Sequence, residues 1–232
     1  MSPSKITVLT VDDDTHILRM LQRILELEGF DVLTAQEGDS ALNVFVNQKP
    51  DVALLDVRMP GMDGYELCRK IREFSEIPII MVTAKGNEEE KVQGFDAGAD
   101  DYVTKPFSAR ELVARVNAVL RRTSWQEDKN KPTFSCKDLT IDFTRQRVKI
   151  AGSDVNLTAT EYAILSYLAQ NAGCLITPDS LLRKVWGEEY AGETHLLQVN
   201  MSRLRKKLKD EAHDSSYIIT RPGIGYMAIK NQ

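Results

Sequence analysis

The sequence predicts two domains of different class: an α/β domain built on a five-stranded parallel, doubly wound sheet, then a smaller α+β domain. Three observations lead there. Up to Arg122, short β-branched or apolar runs alternate with longer amphipathic segments, whereas beyond Pro132 strand-like runs come first and helices follow. Between the two regions, TSWQEDKNK at 123–131 is polar and aperiodic, the composition of a linker. Charge divides along the same line: residues 1–122 hold 15 basic and 21 acidic side chains, residues 132–232 hold 13 and 11, and the whole chain has a net charge of −4. The expected partition is 1–122, a linker at 123–132, and 133–232, each domain long enough to bury its own core.

In the first region Ile6 to Val11, Asp31 to Thr34, Val52 to Asp56, Ile79 to Val82 and Tyr102 to Val103 read as strands. Ile17 to Leu27, Ser40 to Val46, Tyr65 to Phe74, Glu88 to Ala97 and Ser108 to Arg122 carry apolar residues at helical spacing. Ser108 with Glu111 is a capping box for the last of these helices. In the second region Phe134 to Cys136, Leu139 to Phe143 and Arg147 to Ile150 read as strands. A helix follows from the capping box Thr158 and Glu161, a second begins at Thr177 with Pro178, and a third covers Thr194 to Lys209. Strand-like Tyr217 to Thr220, a turn at Pro222-Gly223 and Tyr226 to Ile229 close the chain as a hairpin.

Composition excludes several classes. With 42% hydrophobic and 28% charged residues the chain reads as globular and not as disordered. No apolar run approaches the roughly 18 to 20 residues that span a bilayer, and MSPSKITVLT lacks a signal peptide's apolar region, so a cytoplasmic protein without membrane contact is expected. Cys68, Cys136 and Cys174 are odd in number and far apart, which argues for small core residues over disulfides or a zinc site.

Ligands of open α/β sheets collect beyond the carboxyl ends of the strands. Here strand one runs into Asp12-Asp13-Asp14, strand three ends in Asp56, strand four ends in Thr83, and strand five is followed by Lys105-Pro106. Carboxylates brought to one edge repel unless a cation sits among them, and a hard ion that takes carboxylates and keeps waters is Mg²⁺. Lys105 and Thr83 add a charge and a donor suited to phosphoryl oxygens, the requirements of phosphoryl transfer to a carboxylate. Asp56, at the end of the central strand VALLD, is the expected nucleophile; Asp14 is expected only to cap the first helix.

The pieces VDDD at 11–14, LLDVRMPGMDG at 54–64, VTA at 82–84 and GADDYVTKPF at 98–107 resemble the receiver domain of two-component response regulators over residues 5 to 122. The resemblance implies that Asp56 accepts a phosphoryl group from a sensor histidine kinase, with Asp12, Asp13, Asp56 and the backbone carbonyl of Arg58 holding Mg²⁺. It implies contacts from Thr83 and Lys105 to that group, a switch role for Tyr102, and a cis peptide at Lys105-Pro106. Two alternatives compete. A phosphatase of the haloacid dehalogenase type needs an acid two residues after the nucleophile, where this chain has Arg58, and a degenerate receiver would lack site residues that are all present here.

The stretch THLLQVNMSRLRKKLK at 194–209 contains no acid, and its apolar positions Leu197, Met201, Leu204 and Leu208 repeat at helical spacing. A cationic helix on an acidic protein points to a polyanion, most simply DNA. Three helices and a hairpin have the layout of a winged helix-turn-helix. Residues 133–230 resemble the effector domain of the OmpR/PhoB class through LTATEYAILSYLAQNAG, VWG and YIITRPGIGY, with features of the KdpE branch in Tyr190, His195, Val199, Met201 and GIGY. The resemblance places Gln198, Asn200, Ser202, Arg203, Arg205 and Lys206 toward promoter double-stranded DNA, with Thr220 and Arg221 in the wing. It further implies that phosphorylation creates a homodimer through the fourth helix, fifth strand and fifth helix, using Lys91, Asp96, Asp100, Asp101, Glu111, Arg115 and Arg122, on direct-repeat sites. The acidic loop with Glu188, Glu189 and Glu193 corresponds to a contact with RNA polymerase.

Overall fold

The structure, a computed structural model, describes residues 5–84, 97–123, 133–210 and 217–230. It divides into two compact units, Met1–Leu120 and Arg121–Gln232. The expected linker, apart from the backbone of Thr123, and most of the helix expected at 88–97 lie outside the described residues.

In the first unit β1 (Thr7–Val11), β2 (Asp31–Ala35), β3 (Val52–Asp56), β4 (Ile79–Ala84) and β5 (Asp101–Lys105) form a parallel sheet in the order β2-β1-β3-β4-β5. Around it lie α1 (Thr15–Leu27), α2 (Gly38–Gln48), α3 (Gly64–Arg72) and α4 (Ala109–Thr123). Every residue of β3 is buried, which is why its sequence is a continuous apolar run and not an alternation. One core gathers Val8, Leu54, Ile80, Val82 and Val103 of the sheet with Leu21 and Leu25 of α1 and Leu112, Val116 and Val119 of α4. Strand order reverses about β1, so the carboxyl ends of β1 and β3 flank the crevice where such sheets bind ligands. Strand β5 is longer than its sequence signal, extending from Asp101 to Lys105 because backbone pairing with β4 continues through polar Thr104.

Local signals account for the helix ends. Asp14 caps α1 by accepting from the amide of His16 at 2.7 Å, Asp63 caps α3 by accepting from Glu66, and Ser108 accepts from Glu111.

In the second unit β6 (Thr133–Cys136), β7 (Leu139–Asp142), β8 (Arg147–Ile150) and the short β9 (Ser153–Asp154) form an antiparallel sheet. The helices are α5 (Ala159–Gln170), α6 (Pro178–Val185) and α7 (Thr194–Leu208), and a short 3-10 turn at Glu188–Tyr190 occupies the acidic loop. Strands β10 (Ile218–Arg221) and β11 (Gly225–Ala228) make the closing hairpin. Trp186, Tyr190, Leu182, Leu204 and Leu208 are among its fully buried residues. Cys68 and Cys136 are buried as expected, but Cys174 is exposed in the turn after α5, so it is not a core residue. No helix of the described residues is long and apolar enough to cross a membrane.

Thr158 and Glu161 make both bonds of a capping box at α5: the amide of Glu161 donates to Thr158 Oγ1 and the amide of Thr158 donates to Glu161 Oε2. Replacing Thr158 by Ala should lower the stability of the second unit by about 0.5–2 kcal/mol. Calorimetry of the full chain checks this, as the transition of the second unit should move down while that of the first stays in place.

Candidate functional site

The parallel sheet delivers four charged side chains to one edge. Lys105, at the end of β5, reaches across β4 to donate to Asp56 Oδ1 at 2.5 Å and to Asp12 Oδ2 at 2.6 Å. The remaining carboxylate oxygens are held by backbone amides: Arg58 donates to Asp56 Oδ2 at 2.9 Å and Asp14 donates to Asp12 Oδ1 at 3.0 Å. Asp12 and Asp56 are 1% and 5% exposed, whereas Asp13 faces solvent. Burial pushes the Asp56 carboxyl above the ordinary aspartate range, against the pull of the Lys105 hydrogen bond and charge. Burial draws the Lys105 ammonium down, but its hydrogen bonds to Asp12 and Asp56 and their charges outweigh it, and the net shift is upward.

One oxygen from each of Asp12, Asp13 and Asp56 lies within 4.8 Å of the others, an arrangement able to hold a metal ion. Three carboxylates against one ammonium leave an excess of two negative charges, the complement of a divalent cation. Beside the cluster an open cleft of about 520 Å³ is lined by Asp13, Val57, Arg58, Met59, Pro60, Asp63 and Tyr65. Thr83 is buried at the end of β4, its hydroxyl donating to the Ala84 carbonyl at 3.3 Å. Tyr102 is buried on β5 with its ring 5.4 Å from the Arg115 guanidinium. The Lys105-Pro106 peptide is cis.

One residue here escaped the reading of side-chain chemistry because it has no side chain. A Cβ built on Gly64 would stand 2.1 Å from the carbonyl oxygen of Asp56 and 3.1 Å from Val57 Cα, while the Gly64 amide donates to the Val57 carbonyl. Glycine thus lets the start of α3 press against the backbone that carries Asp56. The available signal was the Asp63-Gly64 pair, a helix cap followed by the smallest residue.

The expected interface charges of the first unit are mostly engaged within the chain. Asp100 is 1% exposed and accepts from Arg72 at 2.7 Å and from the Ile79 amide at 3.0 Å, so it points inward and not outward. Asp101, fully buried, pairs with Arg115 at 3.2 Å, and Arg115 also pairs with Glu111 at 3.3 Å. Arg122, in the second unit, is 1% exposed with its guanidinium 5.1 Å from the Trp186 ring, and so is not a surface charge. Lys91 and Asp96 lie outside the described residues.

On α7 Thr194, His195, Gln198, Ser202 and Lys206 are exposed, as is Lys209 at its C-cap, with Arg203 half-buried. Two residues expected there face inward instead. Asn200 is fully buried and donates to the Leu196 carbonyl at 2.8 Å, and Arg205 is 8% exposed. Asn200 stands three positions after Leu197 and four before Leu204, and Arg205 four after Met201 and three before Leu208, hence both on the stripe that faces the core. Lys207 is drawn to the buried Glu161 at 2.9 Å. In the hairpin Arg221 is exposed and Thr220 is half-buried, its hydroxyl accepting from Arg205. Glu188 is exposed and paired with Arg183.

Two family models match the chain: "Response regulator receiver domain" over residues 8–117 and "Transcriptional regulatory protein, C terminal" over residues 152–228. Among solved structures, the response regulator DrrB of Thermotoga maritima, described as an OmpR/PhoB homolog, is 35% identical, with 97% of this chain and 100% of that one covered at a TM-score of 0.51. A RitR mutant is 26% identical over 97% of this chain and all of its own, at a TM-score of 0.76. A CheY-like receiver domain protein from Methanospirillum hungatei is 35% identical over 52% of this chain and 98% of its own, at a TM-score of 0.50.

Gly64→Ala should displace Asp56 and loosen the acidic cluster. Calorimetric titration with Mg²⁺ should show binding weakened several-fold, and the first unit should lose about 1–3 kcal/mol of stability.

Proposed function

The chain belongs to the response regulators of the OmpR/PhoB class, and from that membership we propose that Asp56 is the phosphoryl acceptor of a Mg²⁺-dependent switch that controls promoter binding. Phosphorylation-regulated transcription control follows from a receiver domain joined to this type of C-terminal domain. The observation that carries the assignment to Asp56 is the pairing of its Oδ1 with Lys105 at 2.5 Å inside a three-carboxylate cluster. In the proposed transfer an Asp56 carboxylate oxygen attacks phosphorus, the P–N bond of a kinase phosphohistidine breaks, and the leaving imidazole keeps the electron pair and takes up a proton. Lys105 and Thr83 bind the equatorial phosphoryl oxygens, and the open cleft beside Asp13 and Arg58 admits the donor.

Mg²⁺ fits the site: Asp12, Asp13, Asp56 and the Arg58 carbonyl would supply its oxygen donors, and it would neutralise the charge that repels a phosphoryl group. The acyl phosphate is a signal and not a turnover intermediate, since position 58, where a phosphatase of related chemistry needs an acid, is arginine. The chain accordingly acts as a regulator in the cytoplasm, with no catalytic cycle on an external substrate.

Tyr102 reports the state of the site to the surface of β5 and α4. There Asp101, Glu111 and Arg115 exchange their internal pairs for pairs with a second copy. Two effector domains then bind direct repeats, with Gln198, Ser202, Arg203 and Lys206 toward the major groove and Arg221 in the minor groove. The loop bearing Glu188, Glu189 and Glu193 faces RNA polymerase.

Incubation with acetyl phosphate and Mg²⁺ should give one acyl-phosphate adduct by intact mass, absent in Asp56→Asn; an unchanged yield in that variant would sink the assignment. For DNA, a dimer neutralising about six phosphates should show a log–log salt slope near −5. A flat dependence would exclude the basic-helix interface.

A further inference from the structure

Arg205 belongs to the most basic stretch of the chain, yet its guanidinium points away from solvent. One nitrogen, Nη2, donates to the Ile218 carbonyl at 2.7 Å and to Thr220 Oγ1 at 2.8 Å, and Nη1 lies 3.4 Å from Asp210 Oδ2. Asp210 is 3% exposed and accepts from the amides of Tyr217 at 3.1 Å and Ile218 at 3.0 Å. Its own amide donates to the Arg205 carbonyl, following the left-handed C-cap at Lys209. An acid and a base, both nearly buried, therefore tie the last turn of α7 to the first strand of the hairpin.

The second strand of the hairpin is fixed independently. The amide of Tyr226 donates to the Ile176 carbonyl at 2.9 Å, and the amide of Ile176 donates back to the Tyr226 carbonyl at 2.8 Å. A Cβ on Gly225 would stand 2.1 Å from the same Ile176 oxygen. Between the two anchored strands only the turn from Arg221 to Ile224 projects, closed by the Ile224 amide donating to the Arg221 carbonyl at 2.9 Å.

A helix in the major groove and a hairpin in the neighbouring minor groove must keep one separation and one angle to engage the same duplex. We propose that the Arg205–Asp210 pair is the strut that sets this geometry, so that Arg205 acts on DNA through the placement of Arg221 and not by touching a phosphate. The inference rests on the DNA-binding reading above. Lysine cannot replace arginine in this role: its single ammonium keeps the charge but cannot span Ile218, Thr220 and Asp210 as the planar fork does.

The test uses the full-length chain treated with acetyl phosphate and a DNA site enriched from a random pool by the wild-type protein. Arg205→Lys should weaken binding about tenfold, as should Arg221→Ala, and the double variant should lose no more than either single one, because both remove the same wing contact. A phosphate contact by Arg205 would instead be largely retained by lysine, and its loss would add to that of Arg221→Ala; either result overturns the strut. Amide hydrogen exchange on the free protein is a second, independent measurement, with protection at 217–228 reduced in Arg205→Lys and kept at 196–204. Asp210→Asn, which preserves side-chain acceptance from Tyr217, provides the same comparison if the lysine variant folds poorly. Unchanged hairpin protection in both variants would overturn the proposal. Failure of the wild-type chain to enrich any DNA would end the DNA-binding reading, and the exchange result would still decide whether the strut exists.

Discussion

Lys105 contacts Asp12 and Asp56 at once, and through that contact the ends of β1, β3 and β5 become a single site although β4 lies between β3 and β5. Without an ammonium there, two nearly buried carboxylates would face each other. At an effective dielectric of about 20, unit charges about 4 Å apart repel by about 4 kcal/mol, a large share of the stability of a domain. The parallel sheet makes the approach unavoidable, because it sends the carboxyl ends of all its strands to the same side. The same contact also defines what the edge lacks: one ammonium among three carboxylates leaves room in charge for a divalent cation.

The second unit handles charge by a related rule with a different result. Its basic helix looks uniform in sequence, but burial sorts it. Arg205 and Lys207 are turned toward Asp210 and Glu161, while Lys206 and Lys209 remain outward. The inward cations hold structure, since removing either partner of a buried pair leaves the other uncompensated. Only the outward ones are available to a polyanion. The basic stretch is thus two devices on one helix, a fastening to the rest of the domain and a surface.

These cases mark where sequence reading succeeds and where it stops. The sheet was legible because a strand buried on both faces must be apolar throughout, as VALLD nearly is, and because its last residue is then conspicuous if charged. The acidic site was legible because one topology brings all strand ends together, so linear order sufficed. Asn200 and Arg205 are harder to place: polar identity points them outward, but both fall on the Leu197–Leu208 stripe, and position on the helix decides their burial. Asp100 had no such signal: its partner Arg72 is 28 residues away, and only the fold brings them together. Gly64 is silent in side-chain chemistry for the opposite reason, as its contribution is the absence of an atom next to Asp56.

An acidic chain with net charge −4 can still carry a nucleic-acid surface because the two effects act over different distances. At physiological salt the Debye length is about 8 Å, so charge that does not lie close to a bound polyanion is largely screened from it. Cations that touch phosphates act at contact distance and displace condensed counterions, a gain that falls as salt rises but persists at physiological strength. With Arg205 and Lys207 engaged internally, Lys206, Lys209 and Arg221 are the exposed cations that this helix, its C-cap and the hairpin present. That set suits weak binding by a single copy and much stronger binding by two copies on adjacent sites, where the second contact becomes intramolecular. Holding Arg205 and Lys207 against Asp210 and Glu161 therefore limits the positive charge that one copy can bring to a polyanion.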